Sequence, residues 1–517
     1  YTMPSSYIEF SSQNTTETSH ESYVGLTRTD FAANPYKRYA ASSMDKMDND
    51  YHRYILTYNM DLSPSTNFVG KLYKSKYSRN WKKVGSIYVS DDGTDSGTIT
   101  EVSFDDVDWN TNCAADSGTE LRACNILTNG TSMLYDDTFS GDDEYIKRSI
   151  GHRDYGMYGY DMKLNHVMGM HDITLGFRHH HDYRLRQDNG ISEKYTLDDN
   201  NTMVAVAIDR DKAALQERKS AWADSISIQD RITHGNFVTT LGVRYEDVDY
   251  DKISKDDGSV SKYDNSETMI AASTVYSMGG GQSAFFGYSQ GYNPTGPSSV
   301  DPDESDNYEV GYRSRSANSF LEVVAFFVDY DNLNETCSIA SGCGNASQNQ
   351  VNAGEAESKG LEVTYKVNNL FPSTQMKGAG DMSTGVRYPM TIAMTFQDSE
   401  RTVGTSTSKP ADKTLPYNPE QIFYVSFGAE TNDWDYKFAV KYTDEYFTND
   451  TNTIKTDDGT VIDFQGGINL TKLGMPGARA FVNVDNLLDK TYLASAHEYG
   501  VRPNKPQTFM AGLTFDF

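Results

Sequence analysis

The last ten residues, TFMAGLTFDF, put Phe509, Ala511, Leu513, Phe515 and Phe517 on one side of an extended strand and Met510, Gly512, Thr514 and Asp516 on the other, because successive side chains of a strand point to opposite faces. The period returns along the chain. In YILTYNMDL, Tyr54, Leu56, Tyr58, Met60 and Leu62 oppose Ile55, Thr57, Asn59 and Asp61. In TLGVRYED, Leu241, Val243 and Tyr245 oppose Gly242, Arg244 and Glu246, and in VIDFQGGINL, Ile462, Phe464, Ile468 and Leu470 oppose Asp463, Gln465, Gly467 and Asn469. No apolar run is long enough for a transmembrane helix. A membrane location survives, because a closed barrel satisfies its backbone between strands and needs apolar residues only at alternate positions. The pattern predicts an all-β fold, a transmembrane antiparallel β-barrel; a soluble sandwich or propeller would bury the apolar face against another sheet.

Composition agrees. A chain of 517 residues with 36 Tyr, 23 Phe, 40 Gly and only 37% hydrophobic residues reads as many aromatic-rich strands joined by polar loops. The 73 acidic residues against 46 basic, a formal net charge of -27, exclude nucleic acid as an expected partner, since phosphates would be repelled. The same acidity serves as a solvated surface. Tyr1 is preceded by no initiator Met, basic n-region or apolar h-region, so the sequence reads as a fragment or a processed chain.

The connections alternate in length. Tight turns are expected at Ser63 to Thr66, Met168 to His171, His234 to Asn236, Gly279 to Gln282, Ala317 to Ser319 and Thr431 to Trp434, and long polar loops at 85–150, 188–218 and 333–351. Short turns on one rim and long loops on the other fit an outer-membrane barrel with its short side periplasmic. About eighteen strands are expected, with both chain ends facing the periplasm. The stretch DRDKAALQERKSAWAD is expected to be briefly helical within an outer loop. The Asp-rich stretches from Asp91 and Asp301 lack the spaced ligands of an EF-hand and read as solvated loops. The cysteines pair locally, Cys113 with Cys124 and Cys337 with Cys343. Two short disulfide-closed loops in an oxidising compartment are expected, with zinc as the alternative, although no His stands at ligand spacing.

The closing segment FVNVDNLLDKTYLASAHEYGVRPNKPQTFMAGLTFDF resembles that of TonB-dependent outer-membrane receptors, with Asn486, Leu487, Leu488, Asp489, Lys490 and Tyr492 matching the family's Asn-Leu-x-Asp-Lys-x-Tyr element. Gln507 stands where Arg is commoner. ESDNYEVGYRS (Glu304 to Ser314) and NAGEAESKGLEVTYK (Asn352 to Lys366) resemble two further strand motifs. The early stretch YVGLTRTDFAANPYKRYAASSMDKMDND is similar to receptors of the ferric citrate type. The resemblance implies a barrel of twenty-two strands gated by an N-terminal plug. Residues 1–517 would then be the C-terminal part of that barrel, with the plug and roughly four strands missing upstream.

The implied function is import of a ferric chelate, a siderophore or ferric citrate-like anion, across the outer membrane of a Gram-negative bacterium. The chelate is the ligand, and no cofactor or resident metal is implied. The expected partners are outer-membrane lipid and the TonB-ExbB-ExbD energy-coupling complex, reached through the missing N-terminal region. An anionic chelate needs a basic pocket, and Arg suits carboxylates because its planar guanidinium binds them bidentately. In LYKSKYSRNWKKVGS, Lys74, Lys76 and Ser78 are expected to point inward, followed by Arg79, Lys82 and Lys83. By resemblance, Arg79, Arg210 and His497 occupy pocket positions, with Arg38 and Tyr36 as further vestibule candidates. His stands at position 497 where the family usually has Asn, which leaves citrate itself open.

In FRHHHDYRLRQ, adjacent residues face opposite ways, so of the three histidines only His179 and His181 can share a face. That pair is the weak metal or haem candidate. The other readings are a passive porin or a surface adhesion barrel. No nucleophile, base and orienting group can be assembled for an enzyme.

Overall fold

The computed structural model describes residues 2–515 apart from 4, 105–106, 110–111, 136–142, 199, 211–215, 255–256, 297–299, 337–349, 372–384 and 498. Eighteen strands follow one another as antiparallel neighbours, from Ser6–Ser19 through Lys46–Ser63, Thr66–Ser90, Tyr145–Met168, His171–Leu197, Gln216–His234 and Phe237–Ser254 to Thr508–Phe515. Four short segments, Thr2–Met3, Ile99–Ser103, Met203–Arg210 and Lys413–Thr414, bring the sheet to 22 strands. The expected eighteen-strand ladder is present. Every tight turn expected lies at a hairpin end: Ser63 faces Thr66, Met168 faces His171, His234 faces Phe237 and Gly279 faces Gln282. The backbone N–H of Ser316 donates to the Ser319 carbonyl and that of Thr431 to the Trp434 carbonyl across the other two turns.

The register carries the apolar face from strand to strand. Leu56 lies opposite Leu72, Phe177 opposite Ile226, Val243 opposite Ile270, Phe286 opposite Val310, and Phe438 opposite Phe464. Leu72, Ile226, Val310, Phe509 and Leu513 are among the most exposed apolar side chains. Water would not tolerate such a continuous band; a hydrocarbon layer crossed by strands requires it. Phe509, Ala511, Leu513 and Phe515 join it as expected, while Asp516 and Phe517 lie outside the described residues. No helix is long and apolar enough to cross a membrane, which says nothing of strands.

Two expectations are corrected. The stretch 209–224 is not helical over its described second half, since Gln216–His234 is a strand hydrogen-bonded on both sides. Ala, Gln, Glu and Lys favour a helix only weakly, and pairing with two neighbours overrides that preference. The outer loops at 85–150 and 188–218 are also shorter than expected. Strands continue to Ser90, resume at Tyr145 and run on to Leu197. Thr66–Ser90 has 25 residues and His171–Leu197 has 27, far beyond the roughly ten needed to cross, so these hairpins rise well above the bilayer.

The hydrophobic core sits on those projections rather than in the wall. Val24, Leu26 and Tyr39 from the first outer loop pack with Ile87, Val89, Phe104, Trp109, Ile126, Ile146, Leu493 and Val501. The helix Gly118–Asn129 belongs to this cap and ends at Gly130 in the left-handed conformation, the usual helix stop. Glu144, fully buried, accepts hydrogen bonds from the backbone N–H of Ser90 and of Leu134 and pairs with Arg122.

The Cys113–Cys124 disulfide closes the loop leading into the helix. Cys337 and Cys343 lie outside the described residues. With a sequence separation of 11 between Cys113 and Cys124, loop-closure entropy assigns the bond about 3 kcal/mol. Reduction, or Cys113→Ser with Cys124→Ser, is expected to open the 104–134 segment to protease while the barrel wall stays resistant; equal resistance of the reduced cap would refute this.

Among the described residues no pairing joins Ser6–Ser19 to Thr508–Phe515. The first and last outer loops meet instead. Leu26 and Val501 exchange backbone hydrogen bonds at 2.9 Å each, and the Gly25 N–H donates to the Tyr499 carbonyl at 2.6 Å. A side chain at Gly25 would lie 2.7 Å from the Gly500 backbone, so only glycine admits this approach.

Candidate basic vestibule

The face opposite the apolar band carries the charge. Pairing sets Asn49, Arg79, Arg153, Arg186 and Glu217 side by side across five strands. The next inward row is Tyr51, Tyr77, Tyr155, Arg184, Lys219 and Lys252. Neighbouring strands are about 4.8 Å apart and same-face rows about 7 Å apart. The two rows carry six cations and two carboxylates, Glu217 at one end and, beyond Asn49 at the other, Glu17, which accepts from the Asn49 amide at 3.2 Å. Glu217 pairs with Arg184 and lies 3.9 Å from Lys219 and 3.5 Å from Lys252. Those three cations, with burial opposing, hold its environment strongly positive.

Arg79 and Arg153 have neither hydrogen bond nor ion pair among the described residues. Like charges directly opposed across a strand pair are destabilising, so the Arg79–Arg153 pairing carries an electrostatic cost. Arg79 lies over the rings of Trp81 at 5.5 Å and Tyr155 at 5.8 Å, contacts that hold a guanidinium without neutralising it. It stands thirteen residues above the Ser63–Thr66 turn, about 43 Å along the strand, or about 33 Å in height at a tilt of about 40°. An apolar band is only about 25 Å tall, so the site is at the outer mouth.

The joined outer loops form its roof. Lys83 stands 3.3 Å from the Tyr23 ring centre and 4.5 Å from that of Trp81. Tyr23 contacts Trp81 edge-on at 4.7 Å and Tyr499 at 5.5 Å, and the Trp81 indole N–H donates to the Glu21 carbonyl at 3.3 Å. Arg502 donates to the carbonyls of Ser22, at 2.9 Å, and of Tyr23. Burial and then the neighbouring Arg38 lower its basicity. Tyr36 reaches Thr491 at 3.4 Å through its hydroxyl. Arg79 thus faces the vestibule, and Arg38 and Tyr36 lie on its roof, both exposed.

Arg210 ends the strand Met203–Arg210 and His497 ends Leu493–His497; their side chains lie outside the described residues. His179 and His181 do share a face, but it is the outward one with Phe177. There His179 lies 2.6 Å from Asp224, and His181 packs on Trp222 with ring centres 4.1 Å apart. Lys74, Lys76 and Ser78 are corrected in the same way. Lys74 lies opposite Tyr54 and shares its face with Leu72, so all three point outward and Tyr73, Ser75, Tyr77 and Arg79 point inward. Arg153, Lys219 and Lys252 went unread, though counting alternate residues from Met162, Ile226 and Val243 puts each on the inner face.

Asp45 lies under the roof, 1% exposed, with one oxygen accepting from the Val84 N–H at 3.0 Å. Burial pushes its pKa up to about 6 from 3.8, against the Ser22 hydroxyl, the Val84 N–H, Arg148 and Lys83. A carboxyl with a raised folded-state pKa binds its proton more tightly when folded, so stability falls as pH rises from about 4 to about 6. Asp45→Asn should accordingly stabilise the cap above pH 6 by about 2 to 3 kcal/mol and change it little at pH 4. Protease resistance of the first outer loop across that range measures it; a variant equal to the parent at pH 7.5 would overturn the assignment.

The family profile described as "TonB dependent receptor-like, beta-barrel" matches residues 4–487. The ferrichrome outer membrane transporter/phage receptor of Escherichia coli (strain K12) is 23% identical over 300 residues, 56% of this chain and 38% of that protein. The ferrioxamine B receptor of Salmonella typhimurium (strain SL1344) is 23% identical over 52% of this chain and 37% of its own length. The matched stretch therefore spans under two fifths of these curated relatives. The crystal structure of the ferric citrate transporter FecA in its unliganded form superposes with a TM-score of 0.70 at 12% identity, covering 99% of this chain and 68% of that one. The siderophore receptor PiuA from Acinetobacter baumannii gives 0.70 at 11% identity, covering 99% and 72%. At such identities the likeness shows the fold.

Proposed function

Because the chain belongs to the TonB-dependent receptor β-barrel family, whose members are outer-membrane barrels of Gram-negative bacteria, we propose that it forms the wall and outer mouth of a transporter importing an anionic ferric chelate. The observation that carries this reading is the inward pair Arg79 and Arg153, unpartnered among the described residues and flanked by Arg184, Arg186, Lys219 and Lys252. A polyanion would relieve their mutual repulsion and gain charge-assisted hydrogen bonds. Tyr77 and Tyr155, with ring centres 5.9 Å apart, offer an adjoining surface for the ligand's organic part. Arg210, His497, Arg38 and Tyr36 are assigned as loop contacts.

Iron is cargo in this reading, and no bond is broken. Energy would come from the TonB-ExbB-ExbD complex through an N-terminal plug region, with residues 1–517 as the C-terminal part of the barrel. The test has two arms. The complete receptor should bind ferric citrate or a carboxylate siderophore more tightly than the iron-free ligand, and uptake should stop when the energy-coupling complex is deleted. Uptake that is unsaturable and independent of that complex would instead mark a passive porin, and tight binding of haem with no response to ferric chelates would replace the cargo.

A further inference from the structure

We propose that the upper half of the strand Val260–Gly279 is a docking edge outside the membrane, to which an extended, lysine- or arginine-bearing segment of a foreign polypeptide adds as an extra strand. The inference is independent of the cargo assigned above. Its starting point is a step in the wall. Val260–Gly279 pairs with Phe237–Ser254 from Tyr276 opposite Phe237 up to Val260 opposite Ile253. On its other side the ladder to Gln282–Asn293 stops at Ala271 opposite Ser289. Above that point Gln290 to Asn293 stay on Asp303 to Asp306. Residues 260–270 therefore have a strand on one side and none on the other among the described residues.

The backbone on the open side identifies the kind of partner. Alternate residues of a strand direct their N–H and C=O groups to opposite neighbours. The Ser277 N–H donates to the Asn236 carbonyl at 2.7 Å, so odd-numbered residues here face Phe237–Ser254 and even-numbered ones face the gap. The Ile270 N–H is met by the Gln290 side chain at 3.2 Å and the Thr268 N–H by the Glu267 carboxylate at 2.9 Å, side-chain caps where a ladder is missing. The N–H groups of Ser266, Asp264 and Lys262 have no partner among the described residues. Such a row is a template for strand addition. Ile270 stands nine residues above the Gly279–Gln282 turn, about 31 Å along the strand, or about 23 Å in height at a tilt of about 40°. The open edge thus begins where an apolar band about 25 Å tall ends, and it is reached from outside.

Charge selects the occupant. Residues 245–270 and 290–306 carry twelve carboxylates against three lysines. On the outward face Asp249 lies directly opposite Asp264, with Asp247 and Asp251 on either side of it, and neither Asp249 nor Asp264 has an ion pair among the described residues. Lys262 is 3.9 Å from Asp251, and Lys252 is turned inward to Glu217 at 3.5 Å; Lys255 lies outside the described residues. Directly opposed acids cost energy, and cationic side chains at alternate positions of an added strand remove that cost. The same acids repel a second copy of this edge. Two barrels in one membrane also present the strand in the same direction, so their tilted edges cross at about 80° and form no ladder.

The test uses the full-length receptor in detergent micelles and a fluorescent ten-residue peptide alternating lysine with threonine. The peptide should bind and slow hydrogen exchange over 260–270, which is fast in the free receptor. Ser266→Pro deletes a donor facing the gap and none facing Phe237–Ser254, a change edge strands tolerate, and should weaken binding about tenfold. Asp249→Asn with Asp264→Asn should weaken it about fivefold. Folding of each variant is read by heat-modifiable gel mobility. Slow exchange over 260–270 before peptide is added overturns the proposal: a dependence on receptor concentration assigns the edge to a second copy, and no dependence assigns it to the receptor's own chain. Failure of the lysine peptide to bind, equal binding of its glutamate counterpart, or equal binding of a lysine peptide N-methylated at alternate residues overturns it as well. So does unchanged affinity in the folded Ser266→Pro variant or in the double Asn variant.

Discussion

Arg79→Ala combined with Arg153→Ala should weaken binding of ferric citrate, or of another carboxylate chelate, by about a thousandfold. A hydrogen bond to a charged group contributes about 1.5 to 3 kcal/mol, so two guanidiniums together supply about 3 to 6 kcal/mol, and each 1.4 kcal/mol is tenfold. Neither side chain has a carboxylate partner among the described residues, and the two are directly opposed. Their removal therefore strands no acid and relieves repulsion, so folding should be unharmed or slightly improved. That separates a binding defect from a folding defect. Arg79→Lys with Arg153→Lys should recover only part of the loss, since charge is kept but the planar bidentate fork is not. Affinity is to be measured on the complete receptor by calorimetry, at low salt and again at high salt, where exposed charge pairs are screened. An unchanged affinity in the double Ala variant would remove the vestibule from the binding site.

The contrast between this vestibule and the membrane wall shows what alternation can and cannot deliver. Within one strand the two-residue period is local, which is why Phe509, Ala511, Leu513 and Phe515 could be assigned to the lipid face without any partner in view. Lys74, Lys76 and Ser78 were misassigned because nothing in SKYSR alone states which parity faces hydrocarbon. That parity is set by Leu72, two residues earlier, and by its neighbour Leu56 on another strand. The basic rows are less legible still. Arg79, Arg153, Arg186 and Lys219 come from four strands spread over 141 positions of sequence, and only the register brings them together. The cap was hidden for a different reason. Its core takes a few residues from each of several polar loops, among them Leu26, Trp109, Ile126 and Val501, and no single loop carries enough apolar residues to announce a domain.

Arg401→Met should loosen three outer loops at once, at a cost of about 3 to 5 kcal/mol. Arg401 is 1% exposed and donates through one nitrogen to Asp450 at 2.6 Å and to Glu335 at 2.9 Å. Lys409, 2% exposed, pairs with the same two carboxylates, and Asp450 is 1% exposed. Among the described residues two cations and two anions thus meet at a largely buried site, with Glu335 at its 22% exposed edge, joining the end of Met390–Val403, the segment that follows it, the 444–458 loop and the Asn334–Thr336 strand. Removing one cation leaves the buried Asp450 and the partly exposed Glu335 sharing Lys409, and the uncompensated charge on Asp450, not the lost contact, dominates the penalty. Charge balance therefore predicts an ordering that contact-counting would reverse: Arg401→Met with Asp450→Leu, which keeps Lys409 opposite Glu335, should be less damaging than Arg401→Met alone, despite deleting more hydrogen bonds. Local opening of these loops is read by hydrogen exchange at 404–412 and 444–458 rather than by a global melting temperature. If the double variant exchanges faster than the single one, the loops are held by contacts summed pair by pair, and the balance of buried charge is not what locks them.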